Sequence, residues 1–334
     1  MTGDDEALVG EDAIIALLRP LAGPGGLGFR DDCAVLTPRL GTDLVLKTDP
    51  IAEGVHFLPD DTPEDIAWKA LAVNVSDLAA KGARPLAYLM ALSFPSAPTR
   101  SWLTRFAGGL AQAQAAFGCT LLGGDTDRRQ GPITISVTVL GEVETGAMVR
   151  RATARPGDLL YVSGSIGDAA LGLRLCREPG LEQVWGIAAE QAAALIARYR
   201  RPLPRLALGP ALRAHASASM DLSDGLVKDL GRMLRASEVS GLLQLPRVPL
   251  SEAVSVVVRK EPAQLSQLAA AGDDYEILAA VPPVSAAAFE REARAAGVSV
   301  TQIGHVGPAA KAPLTISDAD GNDVQMQSGG WDHF

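Results

Sequence analysis

The sequence predicts a mixed α/β (α+β) protein built from two domains. Segments with helical periodicity alternate with short apolar runs that are typical of strands along the whole chain. A single hydrophobic core usually stops growing at roughly 250–300 residues, and this chain has 334. A basic stretch with Pro and Gly, RRATARPGD at 150–158, marks the predicted boundary between domains at 1–149 and 150–334.

The first domain begins with an amphipathic pattern at 11–19, which predicts a short helix before a Gly-rich link. Thr62 is the predicted N-cap of the next helix, with Pro63 in its first turn and Gly82 as the stop signal. That helix is expected at 63–81 and a further helix at about 99–117, with strands at 33–36, 43–49, 86–94, 119–122 and 133–140.

The second domain begins with a strand, LLYVSG at 159–164, followed by a Gly-rich turn and a helix at 168–176. The turn, GSIGD at 164–168, is not a phosphate-binding P-loop, because the chain contains no Gly-Lys dipeptide, so we interpret it as structural. Further helices are expected at about 186–199 and from about 224, with a strand at 217–221 and closing strand-like runs.

Composition excludes several classes of partner. A formal net charge of −9 argues against a nucleic-acid-binding surface. No apolar run approaches the ~18 residues of a membrane span, and the acidic N-terminus does not have the pattern of a signal peptide. Cys33, Cys119 and Cys176 form no CxxC pair, which favours a reducing compartment. We therefore expect a cytoplasmic protein with neither nucleic acid nor membrane as a partner.

Short acidic motifs beside small or apolar residues are the strongest functional signal. An unpaired carboxylate is costly to bury in such surroundings, and a divalent cation removes that cost. Carboxylates suit Mg²⁺, which also binds phosphate oxygens, so the motifs predict a metal-dependent enzyme that acts on a polyphosphate. The motifs are Asp31-Asp32, Thr48-Asp49, Ser76-Asp77, Gly124-Asp125, Asp221-Leu-Ser-Asp224 and Asp273-Asp274.

Two of these motifs have competing interpretations. Asp77 shares a helical stripe with Asn74 and Lys81 among apolar neighbours, so it is a structural anchor or a metal ligand. The other acidic motifs favour the ligand. In the later motif, Ser223 or Asp224 can cap a helix, while the same helix end can present amide groups to a phosphate. Capping needs only one Ser or Asp side chain, and this motif has a second aspartate as well. The additional aspartate favours a functional role.

Three further positions are candidates. Gly124 follows a strand, where a glycine permits close approach of a ligand or forms a turn. His56 follows the Thr48-Asp49 motif and is either a structural hydrogen-bond partner or a substrate contact. Trp331 lies near the C-terminus of a chain with only 4% aromatic residues. It is either packed against the body of the protein or a lid over a flat or cationic ligand.

Taken in order, these motifs resemble the thiamine-monophosphate kinase family, within the aminoimidazole-ribonucleotide-synthetase-like ATP-binding superfamily. The resemblance runs from about Asp12 to Phe334, and EGVHF together with GWDHF points to the thiamine branch. The strings that carry it are EGVHF (53–57), WKALAVNVSDLAAKGARP (68–85), GGDT (123–126), ARPGD (154–158), MDLSDGL (220–226) and GWDHF (330–334).

The resemblance implies that ATP and Mg²⁺ convert thiamine monophosphate to thiamine diphosphate. It implies a homodimer whose N-terminal domains share a β-barrel, with sites near the dimer cleft. The implied Mg²⁺ ligands are Asp32, Thr48, Asp49, Asp77, Asp125, Asp221 and Asp224. The implied nucleotide contacts are Gly124, Asp125, Arg151 and Ser223, and the implied thiamine-phosphate contacts are His56, Asp273 and Trp331. Asp77, Asp125 and Arg151 are the implied catalytic residues.

Three positions depart from the family pattern. Arg30 stands where glycine usually precedes the Asp-Asp pair, and Asp273 stands where the family usually has Glu. Lys47 stands where a small hydroxyl residue is common before Thr48. None of these changes removes a metal carboxylate, so we expect activity to survive and substrate affinity to be the more affected property.

The expected chemistry is in-line attack by a phosphate oxygen of thiamine monophosphate on the γ-phosphorus of ATP. That oxygen is already an anion, so cations that offset repulsion matter more than a general base. Three rivals remain at this point: an ATP-driven ligase or dehydratase of the same superfamily, a Mg²⁺-dependent phosphatase, and a non-catalytic thiamine-phosphate binder. MDLSDG does not fit the DxDx[TV] motif of aspartyl-phosphate phosphatases.

Overall fold

The structure, a computed structural model, describes residues 6–8, 10–326 and 330–331. The chain divides into two compact units. Unit 1 comprises Met1–Leu78 and Ala83–Gly146, and unit 2 comprises Ala79–Gly82 and Ala147–Phe334. Mixed sheets and helices occur in both units, which confirms the predicted α/β class. None of the described helices is long and apolar enough to cross a membrane.

The described strands of the first half form a four-stranded sheet in the order β1-β4-β2-β3. β2 and β3 run parallel, and the other neighbours run antiparallel. The elements are α1 (Glu11–Leu18), β1 (Thr42–Ala52), α2 (Pro63–Ala80), β2 (Arg84–Phe94), α3 (Arg100–Phe117), β3 (Thr120–Arg128) and β4 (Thr134–Glu144).

The local signals at the start and end of α2 act as predicted. Thr62 Oγ1 accepts the N–H of Asp65 at 3.2 Å, which satisfies one amide of the first turn. The acidic Glu64 and Asp65 lie at the positive end of the helix dipole. Gly82 follows the helix with φ 66°, a left-handed conformation that glycine adopts readily.

One face of the unit 1 sheet is buried under helices. Val137 and Val139 alternate along β4 and are both 0% exposed. Asn74 of α2 fixes the helix to β1, because its side chain accepts the N–H of Asp49 at 2.8 Å and donates to the Asp49 carbonyl at 3.3 Å. We call this side the helix-covered face.

The opposite side of the same sheet, which we call the open face, carries exposed apolar side chains. Leu46 is opposite Leu140 in register, and Leu44 lies two residues earlier on β1. Leu44, Leu46 and Leu89 are among the exposed large hydrophobic residues. Alternation along the strands therefore gives this sheet one buried face and one face that is partly apolar and exposed.

The described strands of unit 2 form a six-stranded sheet in the order β10-β7-β9-β5-β8-β6. Its neighbours are antiparallel except for β10 and β7. The elements are β5 (Leu159–Ser163), α4 (Asp168–Arg177), α5 (Leu181–Trp185), α6 (Ala189–Arg200), α7 (Gly209–His215), β6 (Ala218–Asp221), α8 (Leu226–Ala236), β7 (Ser240–Gln244), α9 (Glu252–Lys260), α10 (Gln264–Ala270), β8 (Ile277–Val281), α11 (Pro283–Ala295), β9 (Val300–Gly307) and β10 (Leu314–Ser317).

Two segments differ from the sequence expectations. Residues 33–36, which the structure describes, form no strand; Val35 is 59% exposed there, although its N–H donates to the carbonyl of Gly25. The region expected to close in strand-like runs contains α9, α10 and α11 between its strands. Ser251 starts α9 by accepting the N–H of Val254 at 3.2 Å, and the i, i+3 pair Val254 and Val257 is buried.

Candidate active site

Two of the predicted Mg²⁺ ligands meet on the helix-covered face of unit 1. Lys47 and Asp49 are two residues apart on β1, so their side chains point to the same side of the sheet. Lys47 Nζ lies 3.0 Å from Asp49 Oδ2 and 2.9 Å from Asp77 Oδ2 of α2. We call these three side chains the Lys47 bridge.

The electrostatics of the Lys47 bridge depend on both burial and pairing. Burial lowers the pKa of Lys47, but the two carboxylates of Asp77 and Asp49 outweigh it and raise the pKa above its ordinary value. Burial also raises the pKa of Asp49, and the ammonium of Lys47 opposes that effect. The carboxylates therefore lie in a position where a cation is favourable.

The donor set fits Mg²⁺ in its chemistry. Asp49 and Asp77 supply hard carboxylate oxygens that converge on one position. The ammonium group of Lys47 occupies that position in this structure. Among residues 6–8, 10–326 and 330–331, no group of three or more His, Cys, Asp or Glu side chains is arranged to hold a metal ion. A bound ion would therefore need oxygens from water or phosphate as well.

The structure places Thr48 and Asp125 on the open face instead. Thr48 Oγ1 accepts a hydrogen bond from Thr138 Oγ1 at 3.0 Å across the β1–β4 pair. Asp125 is opposite Ala91 in register and is exposed. Asp32 is also exposed, in the irregular segment before β1. These three predicted ligands are not part of the Lys47 bridge.

Gly124 is required by strand packing. A Cβ at this position would lie 1.8 Å from the carbonyl oxygen of Met90 in β2, so a larger residue would force β2 and β3 apart. Gly124 lies inside β3 and has no positive φ, so the turn interpretation is wrong. Its predicted contact with ATP stays a prediction.

His56 lies in the tight loop after β1. Its Nδ1 accepts the N–H of Ala52 at 3.0 Å, and Glu53 and Phe57 form an isolated bridge across the same loop. In the neutral imidazole the proton is therefore on Nε2. The structure thus gives His56 a structural partner, while its proposed contact with substrate stays a prediction.

In unit 2, backbone hydrogen bonds bring four predicted residues together. The N–H of Asp273 donates to the Ser223 carbonyl at 2.9 Å, and the N–H of Trp331 donates to the Asp224 carbonyl at 3.0 Å. The Trp331 side chain remains 51% exposed. Ser223, Asp224, Asp273 and Trp331 therefore form one cluster, which we call the DLSD cluster.

The capping interpretation of this motif is wrong. Within this described segment neither Ser223 nor Asp224 caps α8, whose N-cap is Gly225 without a side-chain hydrogen bond. Instead, Asp229 Oδ2 accepts the amides of Ser223 at 3.0 Å and Asp224 at 2.9 Å. Those two amides already have a carboxylate acceptor, while binding of a phosphate at the amides of α8 itself stays a prediction. The sequence signal for Asp229 was a single acidic residue in the first turn of an amphipathic helix.

The carboxylate of Asp224 is paired with cations. Its Oδ2 lies 2.5 Å from Arg232 Nη1 and 3.6 Å from Lys228 Nζ, two contacts that the sequence analysis missed. Asp221, at the end of β6, is 6% exposed. Arg151 is exposed, and its carbonyl accepts the Ser237 hydroxyl at 3.2 Å.

A buried ionic network lies beside the DLSD cluster and was also missed. The Glu276 carboxylate is 0% exposed and lies 2.6 Å from Arg198 Nη2, while Arg205 Nε donates to it at 2.7 Å. Ser163 Oγ donates to the same carboxylate at 2.6 Å. We call Glu276, Arg198, Arg205 and Ser163 the Glu276 network.

The Glu276 network holds a strained loop. Asp273 has φ 71° and Tyr275 has φ 49°, a left-handed conformation that non-glycine residues seldom adopt. Arg198 Nη2 also donates to the Asp274 carbonyl at 3.1 Å. Both Asp274 carboxylate oxygens accept the Gly167 amide at 3.0 Å, so the GSIGD turn anchors this loop from the other side.

The comparisons with known proteins cover almost the whole chain. Residues 30–143 match the model of the AIR synthase related protein N-terminal domain, and residues 155–316 match that of the C-terminal domain. A thiamine-monophosphate kinase of Caulobacter vibrioides is 42% identical over 327 residues, which cover 96% of this chain and 90% of the relative.

Two solved structures are similar throughout. Thiamine-monophosphate kinase from Stenotrophomonas maltophilia K279a is 37% identical, with a TM-score of 0.79 over 94% of this chain and 96% of that one. AaThiL complexed with AMPPCP and TMP is 32% identical, with a TM-score of 0.74 over 97% of each chain. The chain therefore belongs to the thiamine-monophosphate kinase family, with AIR synthase-related N- and C-terminal domains.

Proposed function

We propose that this chain is an ATP-dependent kinase that transfers the γ-phosphate of ATP to thiamine monophosphate, giving thiamine diphosphate and ADP. The observation that carries this function is the identity of 42% over 96% of the chain with a thiamine-monophosphate kinase. The similar structure of AaThiL with AMPPCP and TMP supports a nucleotide and a second phosphorylated ligand as the two substrates.

The reaction needs little covalent chemistry from the protein. A phosphate oxygen of thiamine monophosphate attacks the γ-phosphorus in line, the new P–O bond forms, and the bond to the β-phosphate oxygen breaks to release ADP. The attacking oxygen is already an anion. The main barrier is therefore repulsion between two anions, which cationic groups such as Arg151 offset. We propose Asp77, Asp125 and Arg151 as the catalytic residues, and Gly124, Asp125, Arg151 and Ser223 as the nucleotide contacts.

We propose that Asp49 and Asp77 hold Mg²⁺, because their carboxylates converge on one cation position. When bound there, Mg²⁺ supplies positive charge to the phosphate oxygens. The remaining proposed ligands are Asp32, Thr48, Asp125, Asp221 and Asp224. The Asp224 carboxylate now pairs with Arg232 and Lys228. To bind a metal ion, it must either break these ion pairs or use an oxygen that they leave available.

We propose that Trp331, Asp273 and His56 contact the thiamine phosphate. The exposed ring of Trp331 suits stacking on the cationic thiazolium, a contact worth about 0.5–2 kcal/mol. Asp273 is held beside Ser223 by a main-chain hydrogen bond, and its carboxylate accepts the Tyr275 hydroxyl at 3.3 Å.

We also propose a homodimer formed through a β-barrel of the first domain, with domains at 1–149 and 150–334. The support is the open face of the unit 1 sheet, which exposes Leu44, Leu46 and Leu89. An exposed apolar sheet face is typical of a surface that another subunit covers. The acidic composition and reduced-cysteine pattern support a cytoplasmic protein with no nucleic-acid or membrane partner.

The experiment is a Mg²⁺ assay with ATP and thiamine monophosphate, in which thiamine diphosphate is detected by fluorescence after oxidation to thiochrome. We expect product that disappears with EDTA and in Asp77→Asn, while Asp60→Asn, an exposed aspartate outside the site, retains activity. Near-wild-type turnover by Asp77→Asn contradicts its role as a metal ligand. Folded wild-type protein that binds Mg-ATP without forming product contradicts the kinase function.

A further inference from the structure

In the Lys47 bridge, the same two carboxylates form an ion pair with Lys47 and are the proposed ligands of a metal ion. The Lys47 ammonium contacts Asp77 Oδ2 at 2.9 Å and Asp49 Oδ2 at 3.0 Å, so it occupies the space between two carboxylates. The three side chains are 32%, 45% and 24% exposed for Lys47, Asp49 and Asp77 respectively. Water and small ions can therefore reach the cluster.

The geometry of the bridge is fixed by the fold. The strand repeat places Lys47 and Asp49 on the same side of β1. Asn74 ties α2 to the main chain of Asp49 through two hydrogen bonds, and Asp77 follows Asn74 by one helical turn. The two carboxylates therefore face each other across a position that the backbone defines, unlike a surface ion pair formed by two long flexible chains.

An ammonium and a divalent cation need the same carboxylate oxygens. A metal ion placed beside the ammonium would be repelled by it, because like charges in contact interact strongly at the dielectric of a protein surface. A metal ion can bind this pair only if the ammonium moves away. The polyphosphate of a nucleotide offers the ammonium an alternative anionic partner.

We propose that Lys47 is a built-in competitor for the metal position between Asp49 and Asp77, so that a divalent ion binds this pair tightly only when a polyphosphate is present. The inference rests on the proposed function, in which these two aspartates hold Mg²⁺. If Lys47 has this role, the affinity of Asp49 and Asp77 for a divalent ion depends on whether nucleotide is bound, and the side chain of Lys47 is the cause of that dependence.

The test is a titration of the full-length, nucleotide-free protein with Mn²⁺, with free Mn²⁺ measured by electron paramagnetic resonance. Lys47→Met removes the charge and keeps the length of the side chain, whereas Lys47→Arg keeps the charge. We expect Lys47→Met to bind Mn²⁺ about tenfold more tightly than wild type or better, because a neighbouring unit charge is gone. Lys47→Arg should remain close to wild type.

The double variant Lys47→Met with Asp77→Asn assigns the gained affinity to this pair, because the gain should disappear when one of the two carboxylates is removed. Identical Mn²⁺ titrations of wild type and Lys47→Met overturn the proposal, as does a gain that survives in the double variant. If circular dichroism shows that Lys47→Met is unfolded, Lys47→Thr replaces it with a residue that suits a strand, and the same outcomes apply.

The titration is independent of turnover. If Lys47→Met gains Mn²⁺ affinity while the wild-type protein makes no thiamine diphosphate, the competitor role stands and the kinase function fails. If the wild-type protein makes thiamine diphosphate while the two titrations coincide, the kinase function stands and the competitor role fails.

Discussion

At the scale of single residues, Asp274 shows how burial sets the behaviour of one carboxyl group. It is 2% exposed, and burial raises the pKa of its carboxyl well above the ordinary value of 3.8. The amide of Gly167 and the charge of Arg198 act in the opposite direction without cancelling the effect. The folded state therefore binds a proton at this position more tightly than the unfolded state does.

The raised pKa predicts a pH dependence of stability. Below pH 3.8 both states are protonated and the contribution of Asp274 is complete. As pH rises above that value the unfolded state loses its proton first, so the free energy of unfolding falls by up to about 1.4 kcal/mol per pH unit until the folded state also titrates. As the pH rises from about 5 to about 7, the free energy of unfolding should therefore fall less in Asp274→Asn than in wild type. Urea unfolding at each pH measures the difference, and two parallel curves would contradict the assignment.

The residues that the sequence could and could not identify differ in one physical respect. Asp49 and Asp77 were recognisable because acidic side chains beside apolar runs are unusual. Lys47 was recognisable only as a departure from the family pattern, because its contact with Asp77 requires β1 and α2 to be packed together. The pairing of Arg198 with Glu276 joins residues 78 positions apart, and no local sequence pattern in either segment predicts it.

At the scale of elements, α3 contains two adjacent glycines with opposite surroundings. A Cβ on Gly108 would have nothing within 4 Å, whereas a Cβ on Gly109 would lie 2.4 Å from the Glu64 carbonyl oxygen of α2. Gly109 is therefore a close-contact position between two helices, and Gly108 is an ordinary exposed helical position.

These two glycines predict opposite effects of the same substitution. Gly108→Ala should stabilise the protein by about 0.5–1 kcal/mol, because alanine loses less backbone entropy in a helix. Gly109→Ala should destabilise it by about 1–3 kcal/mol, since the helices must separate to admit a methyl group. Each variant is the control for the other in urea unfolding. Equal shifts in the same direction would refute the described contact.

The Glu276 network is the second element-scale feature with a measurable consequence. Glu276→Gln leaves Arg198 and Arg205 without their buried charge partner, so we expect a loss of about 3 kcal/mol in the free energy of unfolding. The strained Asp273 loop should loosen, which raises the KM for thiamine monophosphate more than the KM for ATP.

The matched control for this change is Glu64→Gln. Glu64 pairs with Arg105 at 2.8 Å, but the Arg105 side chain is 50% exposed, so the loss should stay below about 1 kcal/mol. The positioning role of the Glu276 network would be contradicted by either of two results. One is a similar loss of unfolding free energy in Glu276→Gln and Glu64→Gln, and the other is an equal effect of Glu276→Gln on the KM values for thiamine monophosphate and ATP.

Helices with strong local signals were predictable, and others were not. α2 has a capping Thr62, an acidic first turn and a Gly82 stop, and the structure has it at Pro63–Ala80. α9 to α11 lie in an Ala- and Val-rich region whose apolar residues suit either a strand or a helix. Local start signals exist, such as Ser251 before α9, but the choice between strand and helix here also depends on packing against the rest of unit 2.

At the scale of the whole molecule, the open face of the unit 1 sheet is the feature that bears on assembly. The mixed α/β class with two units followed from the alternating patterns and the length of the chain. The open face did not, because alternation predicts which residues share a side but not which side is left uncovered.

If this face joins two subunits, a charge at its centre should separate them. Leu46→Lys should give a folded monomer, since burying an unpaired ammonium against a second apolar sheet is unfavourable. Val284→Lys, on the 92% exposed residue of α11, is the control and should leave the dimer intact. Light scattering after size-exclusion chromatography measures the mass. A Leu46→Lys protein with the same mass as wild type would place the subunit contact elsewhere.

The attachment of Trp331 has a consequence for how this protein can diverge. The N–H of Trp331 is bonded to Asp224, and its carbonyl accepts from Lys228, so two of the contacts at this position use main-chain atoms that every residue except proline shares. Exchange of the indole for another side chain leaves both contacts available. Position 331 can therefore vary during evolution, or in a designed library, to suit differently shaped ring systems without loss of these two main-chain contacts.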